Sequence, residues 1–175
     1  MPVLVGVDGR SGSGKTDLAR DLARAVAASG LGCVVVHLDD LYPGWDGLAA
    51  ALAPLCSRVV GPLRSGLPAS YASWDWRTSG PGPRREVPVS DVVVLEGVGV
   101  LASPCARDLD LRVWLEAPDG VRRRRALARD GEVFAPHWER WADQEDAVFA
   151  SGVPGTADVV VDTVSGTARW DRLGS

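Results

Sequence analysis

The chain has 175 residues, of which 46% are hydrophobic and 24% charged, and its formal net charge is -4. This length suits one compact domain whose core is large enough to need no structural metal or disulfide. The acidic balance excludes a general electrostatic attraction to nucleic acid or membranes, and no apolar run is long enough to span a bilayer. Because no basic leader precedes the first apolar segment, we expect one cytoplasmic domain over residues 1–175, without nucleic-acid or membrane partners.

Apolar strands alternate with helical patterns in the first half of the chain. Residues 3–7 predict a buried strand, and residues 15–29 predict an amphipathic helix that ends at Gly30. Residues 33–38 predict a second strand, and residues 46–58 a helix rich in Ala and Leu. Residues 61–90 are rich in Gly, Pro, Ser and Trp with little periodicity, so we interpret them as a long functional or mobile loop.

The second half continues the alternation. Further strands are predicted over residues 91–95, 109–115 and 158–162, helices over 119–130 and 136–150, and a candidate edge extension over 167–170. Such alternation predicts an α/β fold with a parallel sheet covered by helices on both faces. Ligands of these sheets bind beyond the carboxyl ends of the strands, where the motifs described below lie.

Three cysteines, Cys33, Cys56 and Cys105, are scattered without a C-x-x-C spacing. An odd and scattered set is typical neither of a disulfide framework nor of a zinc site. We therefore expect buried or free thiols.

A phosphate-binding motif follows the first strand and opens the first helix. Its eight residues fit G-x-x-x-x-G-K-[ST]: Gly9, Arg10, Ser11, Gly12, Ser13, Gly14, Lys15 and Thr16. The glycines allow backbone N–H groups to surround phosphate oxygens at the positive end of the helix dipole. Lys15 is the sole lysine of the chain and is predicted to reach the β- and γ-phosphates, while Thr16 binds Mg²⁺. The motif predicts ATP and Mg²⁺ as the bound groups.

Acidic residues end the second and third predicted strands. Asp39 and Asp40 follow the second strand, where a carboxylate can accept the proton of a substrate hydroxyl; the alternative is a helix cap or a solvated turn. We predict Asp39 as the base and as a further metal ligand, and Asp40 as a substrate contact. Glu96 ends the third strand in a Walker B pattern and is predicted to orient Mg²⁺, the alternative being a surface residue.

A run of arginines lies on the predicted helix over 119–130. Arg125 and Arg129 are four residues apart and therefore share one face, from which they could clamp phosphates as catalytic lid residues. Arg122 to Arg124 are interpreted as partly structural, and the negative net charge disfavours nucleic-acid binding by this run.

Aromatic residues are concentrated in the loop-like stretches. We predict that a flat acceptor binds there, since exposed tryptophan in polar loops is unusual; the alternative is a local core. The predicted acceptor contacts are Asp40, Tyr42, Trp45, Trp74, Asp75, Trp76 and Arg77. By contrast, Trp138, Trp141 and Phe149 lie on one helical side and are predicted core residues.

These motifs resemble the uridine kinase-like family of P-loop nucleoside kinases over most of the chain. The resemblance rests on the phosphate loop and on Leu38-Asp39-Asp40-Leu41-Tyr42, Trp74-Asp75-Trp76-Arg77, Leu95-Glu96-Gly97 and Arg125-Ala126-Leu127-Ala128-Arg129-Asp130. It implies a three-layer α/β/α P-loop kinase fold with a five-stranded parallel sheet in the order 2-3-1-4-5. It also implies an acceptor-binding insert at about 41–88 and a lid at about 118–150.

The resemblance further implies roles for individual residues. Asp39 corresponds to the family's base, Trp74 to Arg77 to its nucleoside-contacting element, and Gly155, Thr156 and Ala157 to its adenine-contacting loop. Asp40 stands where the family has a serine, and no histidine follows near Thr78.

The resemblance and the motifs together predict transfer of the ATP γ-phosphate to a hydroxyl of a small molecule, a nucleoside or similar flat acceptor. A kinase for another metabolite or antibiotic and a nucleotide-binding switch or ATPase without an acceptor are the alternatives. A homodimer is a candidate assembly.

Overall fold

Eight strands form within residues 1–170, which are the residues described by the structure, a computed structural model. They are β1 (Val3–Gly9), β2 (Cys33–His37), β3 (Ala69–Asp75), β4 (Gly80–Val87), β5 (Val92–Glu96), β6 (Leu111–Glu116), β7 (Val159–Asp162) and β8 (Thr167–Trp170). The α-helices are α1 (Lys15–Ala28), α2 (Leu48–Pro54), α3 (Gly61–Arg64), α4 (Asp119–Phe134) and α5 (Trp138–Phe149), and a π-helical segment, Leu55–Val60, joins α2 to α3.

The main sheet has six strands in the order β2-β5-β1-β6-β7-β8. The first five are parallel, whereas β8 pairs antiparallel with β7. The predicted five-stranded parallel sheet is therefore wrong in strand number and in direction at one edge. The physical cause is the turn after β7, where the Asp162 carboxylate accepts the N–H groups of Val164 and Ser165 and reverses the chain.

Apolar side chains on the two faces of the sheet form two separate clusters. The smaller one includes Val5, Val7 and Val94 and is covered by Ala19 and Leu18 of α1. The larger cluster lies on the other face, beneath α2, α4 and α5. Helices thus cover both faces of the sheet, and the carboxyl ends of its parallel strands form one edge.

The region interpreted as a long loop contains a β-hairpin instead. β3 and β4 pair antiparallel as a separate two-stranded sheet. β3 alternates buried with more exposed residues, as a half-buried strand should. The prediction over 61–90 is wrong because Pro81 and Pro83 conceal β4; proline is tolerated there, since β4 pairs only with β3 and is an edge strand.

Cys56 and Cys105 form a disulfide, while Cys33 is free. The expectation of unpaired thiols is therefore wrong for two of the three cysteines. The bonded residues are 49 positions apart, and it is the tertiary fold that brings the π-helical segment beside the loop after β5. Among residues 1–170, none of the helices is long and apolar enough to cross a membrane.

Candidate active site

The phosphate loop lies between the end of β1 and the start of α1. Gly12 (φ 76°) and Gly14 (φ 98°) adopt left-handed conformations that favour glycine. A Cβ on Gly12 would lie 2.0 Å from the carbonyl oxygen of Arg122, so the loop passes directly against α4. The Nζ of Lys15 donates to the carbonyl oxygens of Gly9 (2.8 Å) and Arg10 (3.1 Å).

Several polar groups of this loop fit a bound triphosphate. The Oγ of Ser13 is buried and has no hydrogen-bond partner among residues 1–170. Gly14 precedes α1 and cannot cap it through a side chain, so the first N–H groups of the helix can donate to phosphate oxygens. A buried hydroxyl without a partner is costly unless a ligand satisfies it, so the loop is suited to an anion with several oxygens.

Asp8 supports the loop from within the sheet and was not among the predicted site residues. Its carboxylate is fully buried and accepts the N–H groups of Gly9 (2.7 Å), Gly99 (2.9 Å) and Leu101 (2.7 Å). Burial raises its pKa to about 6, while these three hydrogen bonds and the charge of Lys15 act in the opposite direction. An acidic residue inside an apolar strand was the available sequence signal.

Glu145 and Arg122 hold the outer side of the loop. The Oε1 of Glu145, on α5, accepts the N–H of Ser11 at 2.7 Å, and Nη1 of Arg122, on α4, donates to the Ser11 carbonyl at 3.1 Å. Both side chains are buried, and their charged groups lie 3.9 Å apart. The sequence contained a signal for this role, because Glu145 lies on the same side of the predicted helix as the core residues Trp141 and Phe149 and is therefore expected to be buried.

An acidic cluster forms beside the phosphate loop at the carboxyl ends of β2 and β5. Thr16 donates through Oγ1 to Oε1 of Glu96 at 3.3 Å, and Nδ1 of His37 lies 2.5 Å from the same oxygen. The hydrogen bond to Glu96 raises the pKa of His37. No group of three or more His, Cys, Asp or Glu side chains in residues 1–170 could hold a metal alone. A magnesium ion here would need nucleotide or water oxygens as well.

The adjacent carboxylates Asp39 and Asp40 face different surroundings. The side chain of Asp39 is exposed, but the protein atoms crowded around it raise its pKa by desolvation, as does the charge of Glu96, whereas Lys15 and Arg129 lower it. Asp40 instead faces the hairpin. The structure thus brings Asp39 together with Glu96 and Lys15 and directs Asp40 away from them.

The two predicted lid arginines lie in different environments. Arg125 donates to Oγ1 (2.8 Å) and to the carbonyl oxygen (3.1 Å) of Thr163, just after β7. Arg129 pairs with Asp130, and its charge also interacts with Asp39 and Glu96. Arg129 therefore faces the acidic cluster, whereas Arg125 is tied to the loop after the last parallel strand.

The predicted nucleotide contact from Gly155, Thr156 and Ala157 is wrong. These residues precede β7, and since β7 is parallel to its neighbours they lie at the sheet edge opposite the phosphate loop. Thr163 follows β7 at the correct edge, and a Cβ on Gly14 would lie 3.9 Å from its methyl group. The rule that ligands bind after the strands was the signal that could have located Thr163.

Most of the predicted acceptor-stacking rings pack against the protein. Tyr42 is 1% exposed, and its hydroxyl donates to the Val98 carbonyl at 2.8 Å, so its predicted acceptor contact is wrong. It packs edge-on against Trp141, in the core. Trp45 is half-buried and contacts four rings, namely those of Trp76, Phe134, His137 and Trp141.

The remaining predicted acceptor contacts lie on the hairpin. Trp74 is half-buried, and its Nε1 has no hydrogen-bond partner among residues 1–170. Asp75 accepts the N–H groups of Arg77 and Thr78 and so stabilises the hairpin turn. Arg77 itself is exposed.

Comparison with known proteins identifies the family of this chain. No family model matches the chain. The uridine kinase of Deinococcus deserti is 31% identical over 144 residues, which cover 74% of this chain and 69% of that protein. The chain belongs to the uridine kinase-like family of P-loop kinases. The uridine kinase of Latilactobacillus sakei is also similar, with 28% identity over 145 residues, 75% of this chain and 68% of that protein.

Solved structures agree with this uridine kinase-like assignment at the level of the fold. A possible uridine kinase from Bacillus stearothermophilus superposes with a TM-score of 0.67 at 22% identity, over 91% of this chain and 88% of that one. A D-glycerate 3-kinase from Cryptococcus neoformans gives a TM-score of 0.63 at 15% identity, over 97% of this chain and 89% of that one. Together the relatives and the site support an ATP-dependent kinase acting on a small molecule.

Proposed function

We propose that the protein transfers the γ-phosphoryl group of ATP to a hydroxyl of a small acceptor, with Asp39 as general base. The observation that carries the proposal is the position of Asp39, which interacts with Lys15, Glu96 and Arg129 and whose pKa is raised. A carboxylate with a raised pKa is a better proton acceptor near neutral pH than an ordinary aspartate.

Each step of the transfer has a residue suited to it. The N–H groups at the start of α1 and the Ser13 hydroxyl would bind phosphate oxygens, and Lys15 would neutralise the β- and γ-phosphates. The acceptor O–H gives its proton to Asp39 as its oxygen bonds to the γ-phosphorus, and the bond from phosphorus to the β–γ bridging oxygen breaks. Arg129 would stabilise the charge that develops on the transferred group.

Thr16 would hold Mg²⁺ together with phosphate oxygens, and Glu96 or Asp39 would hold it through water. When bound, the ion supplies positive charge that polarises the phosphates. Arg125 and Thr163 would border the nucleotide next to Gly14.

A nucleoside is the first acceptor to test, because the similar curated proteins are named uridine kinase. A compact acceptor without a flat base is the second, because the ring of Tyr42 is buried and that of Trp45 already contacts four protein rings. Asp75, at the end of β3, and Arg77, in the turn after it, would then border the acceptor.

The test is ATP consumption by the purified protein with Mg²⁺ against nucleosides, sugars, hydroxy acids and vitamins, with Lys15→Ala as the control. Turnover that requires one acceptor and is lost in the control supports the proposal and identifies the acceptor. ATP hydrolysis that no acceptor stimulates would contradict it and favour a switch or ATPase.

We also propose a cytoplasmic location and a homodimeric assembly. ATP-dependent metabolism favours the cytoplasm, whereas a disulfide such as Cys56–Cys105 is more typical of oxidising compartments. Thiol titration of protein taken directly from cells would distinguish the two, and light scattering would test the homodimer.

A further inference from the structure

Three contacts tie the β3–β4 hairpin to the short turn that carries the proposed base. The Nε1 of Trp76 donates to the main-chain carbonyl of Asp39 at 2.8 Å. The hydroxyl of Tyr71 donates to Oδ2 of Asp40 at 3.4 Å, and Nε of Arg85 lies 3.7 Å from the same oxygen. The contacts come from both strands of the hairpin and from its turn, so they restrain the hairpin as a whole.

Few other hydrogen bonds from residues 1–170 restrain the turn itself. Leu38–Asp40 is a single 3-10 turn, in which the N–H groups of Leu41 and Tyr42 both donate to the Leu38 carbonyl. Leu38 is fully buried, so the start of the turn is fixed by packing. The Asp39 peptide, by contrast, receives its hydrogen bond from Trp76 on the hairpin.

Trp76 is itself held by a neighbouring ring. Its indole packs on Trp45, with ring centroids 4.8 Å apart. Trp45 stacks in turn on Phe134 and His137, at the end of α4 and directly after it. The orientation of the Asp39 peptide therefore depends on a chain of contacts that runs from the hairpin to the segment after Arg129, beyond a kink in α4 at Gly131.

We propose that Trp76 and Asp40 are positioning residues, through which the hairpin fixes the Asp39 carboxylate relative to the phosphate loop. In this inference, which rests on the proposed function, neither residue binds the acceptor. Misplacing a reacting group by about 1 Å can lower a rate by about a hundredfold, so a partial loss of restraint on Asp39 should reduce kcat about tenfold. Binding of ATP uses other groups and should not change.

Two matched substitutions separate this role from general packing. Trp76→Phe removes the N–H donor to Asp39, whereas Trp74→Phe removes, two residues earlier on the same hairpin, an N–H that has no partner in residues 1–170. We expect kcat of Trp76→Phe to be about tenfold below that of Trp74→Phe, with ATP affinity equal in the two variants. Equal kcat values, or a change confined to the acceptor KM of Trp76→Phe, would overturn the inference.

A readout independent of turnover keeps this test separate from that of the proposed function. Backbone amide NMR signals of residues 38–40 should shift in Trp76→Phe and stay in place in Trp74→Phe. Asp40→Ala removes the contacts of Asp40 with Tyr71 and Arg85 and should shift the same signals. Asp40→Asn should shift them less, because its side chain keeps an oxygen that can accept the Tyr71 hydroxyl. Unchanged signals in Trp76→Phe would refute the positioning role even if the protein is a kinase. Shifted signals in a protein without acceptor-dependent turnover would support the contact between Trp76 and the Asp39 turn and refute the kinase proposal.

Discussion

Asp8 makes the stability of this protein depend on pH in an unusual direction. Its carboxylate is completely buried below the phosphate loop, and its pKa is raised from 3.8 to about 6. Folding therefore tightens proton binding, so the contribution of Asp8 to stability is greatest below pH 3.8 and is lost as the pH rises through about 6. A pKa difference of about two, at about 1.4 kcal/mol for each pH unit, corresponds to about 3 kcal/mol.

The comparison of wild type with Asp8→Asn isolates this effect, because both proteins share every other titrating group. The groups that lower the pKa of Asp8 are the Lys15 ammonium and the three N–H donors, and the Tyr42 hydroxyl also interacts with its carboxylate. We expect the free energy of unfolding of wild type, minus that of the variant, to fall by about 2 kcal/mol between about pH 4.5 and 7.5.

Reversible urea denaturation at several pH values measures this difference. A difference that stays constant, or that rises with pH, would refute the reasoning. If Asp8→Asn does not fold, ¹³C NMR titration of the Asp8 carboxyl in the wild-type protein gives the pKa directly, and a value near 4 would refute it equally.

Further predictions concern the outer support of the phosphate loop. Gly12→Ala places a methyl group 2.0 Å from the Arg122 carbonyl, so we expect loss of ATP binding in calorimetry while the circular dichroism spectrum is kept; unchanged affinity would contradict the close contact. Glu145→Ala leaves the Ser11 N–H without its acceptor, while Arg122 keeps its ion pair with Asp119 (2.6 Å), and should lower the free energy of unfolding by about 2 kcal/mol, measured by denaturation. Glu145→Gln keeps an acceptor for the Ser11 N–H and should cost less; equal losses in the two variants would show that this hydrogen bond contributes nothing.

The sequence was sufficient to locate the features that depend on local patterns. The phosphate loop is contiguous, and the rule that ligands bind after parallel strands points to Asp39 and Glu96. The nucleotide contact at Gly155–Ala157 came instead from the family resemblance, and these residues precede a strand and lie at the opposite edge.

The remaining site features depend on tertiary contacts that no local pattern encodes. Glu145 lies 134 positions from Ser11 in sequence and reaches it only because α5 packs beside the loop. The hairpin was hidden by prolines that an edge strand tolerates. Tyr42 was predicted as an acceptor contact because it lies among the aromatic residues of the loop-like stretches, but the packing of Trp141 and the carbonyl of Val98 place it in the core.

Replacement of Asp39 by Asn tests the central claim most directly. The variant keeps the shape of the side chain and removes the proton acceptor, so we expect ATP binding by calorimetry to persist while transfer of labelled γ-phosphate to the acceptor falls by at least about a hundredfold. Transfer at a near wild-type rate in Asp39→Asn would contradict the assignment of Asp39 as the base on which the proposed kinase mechanism depends.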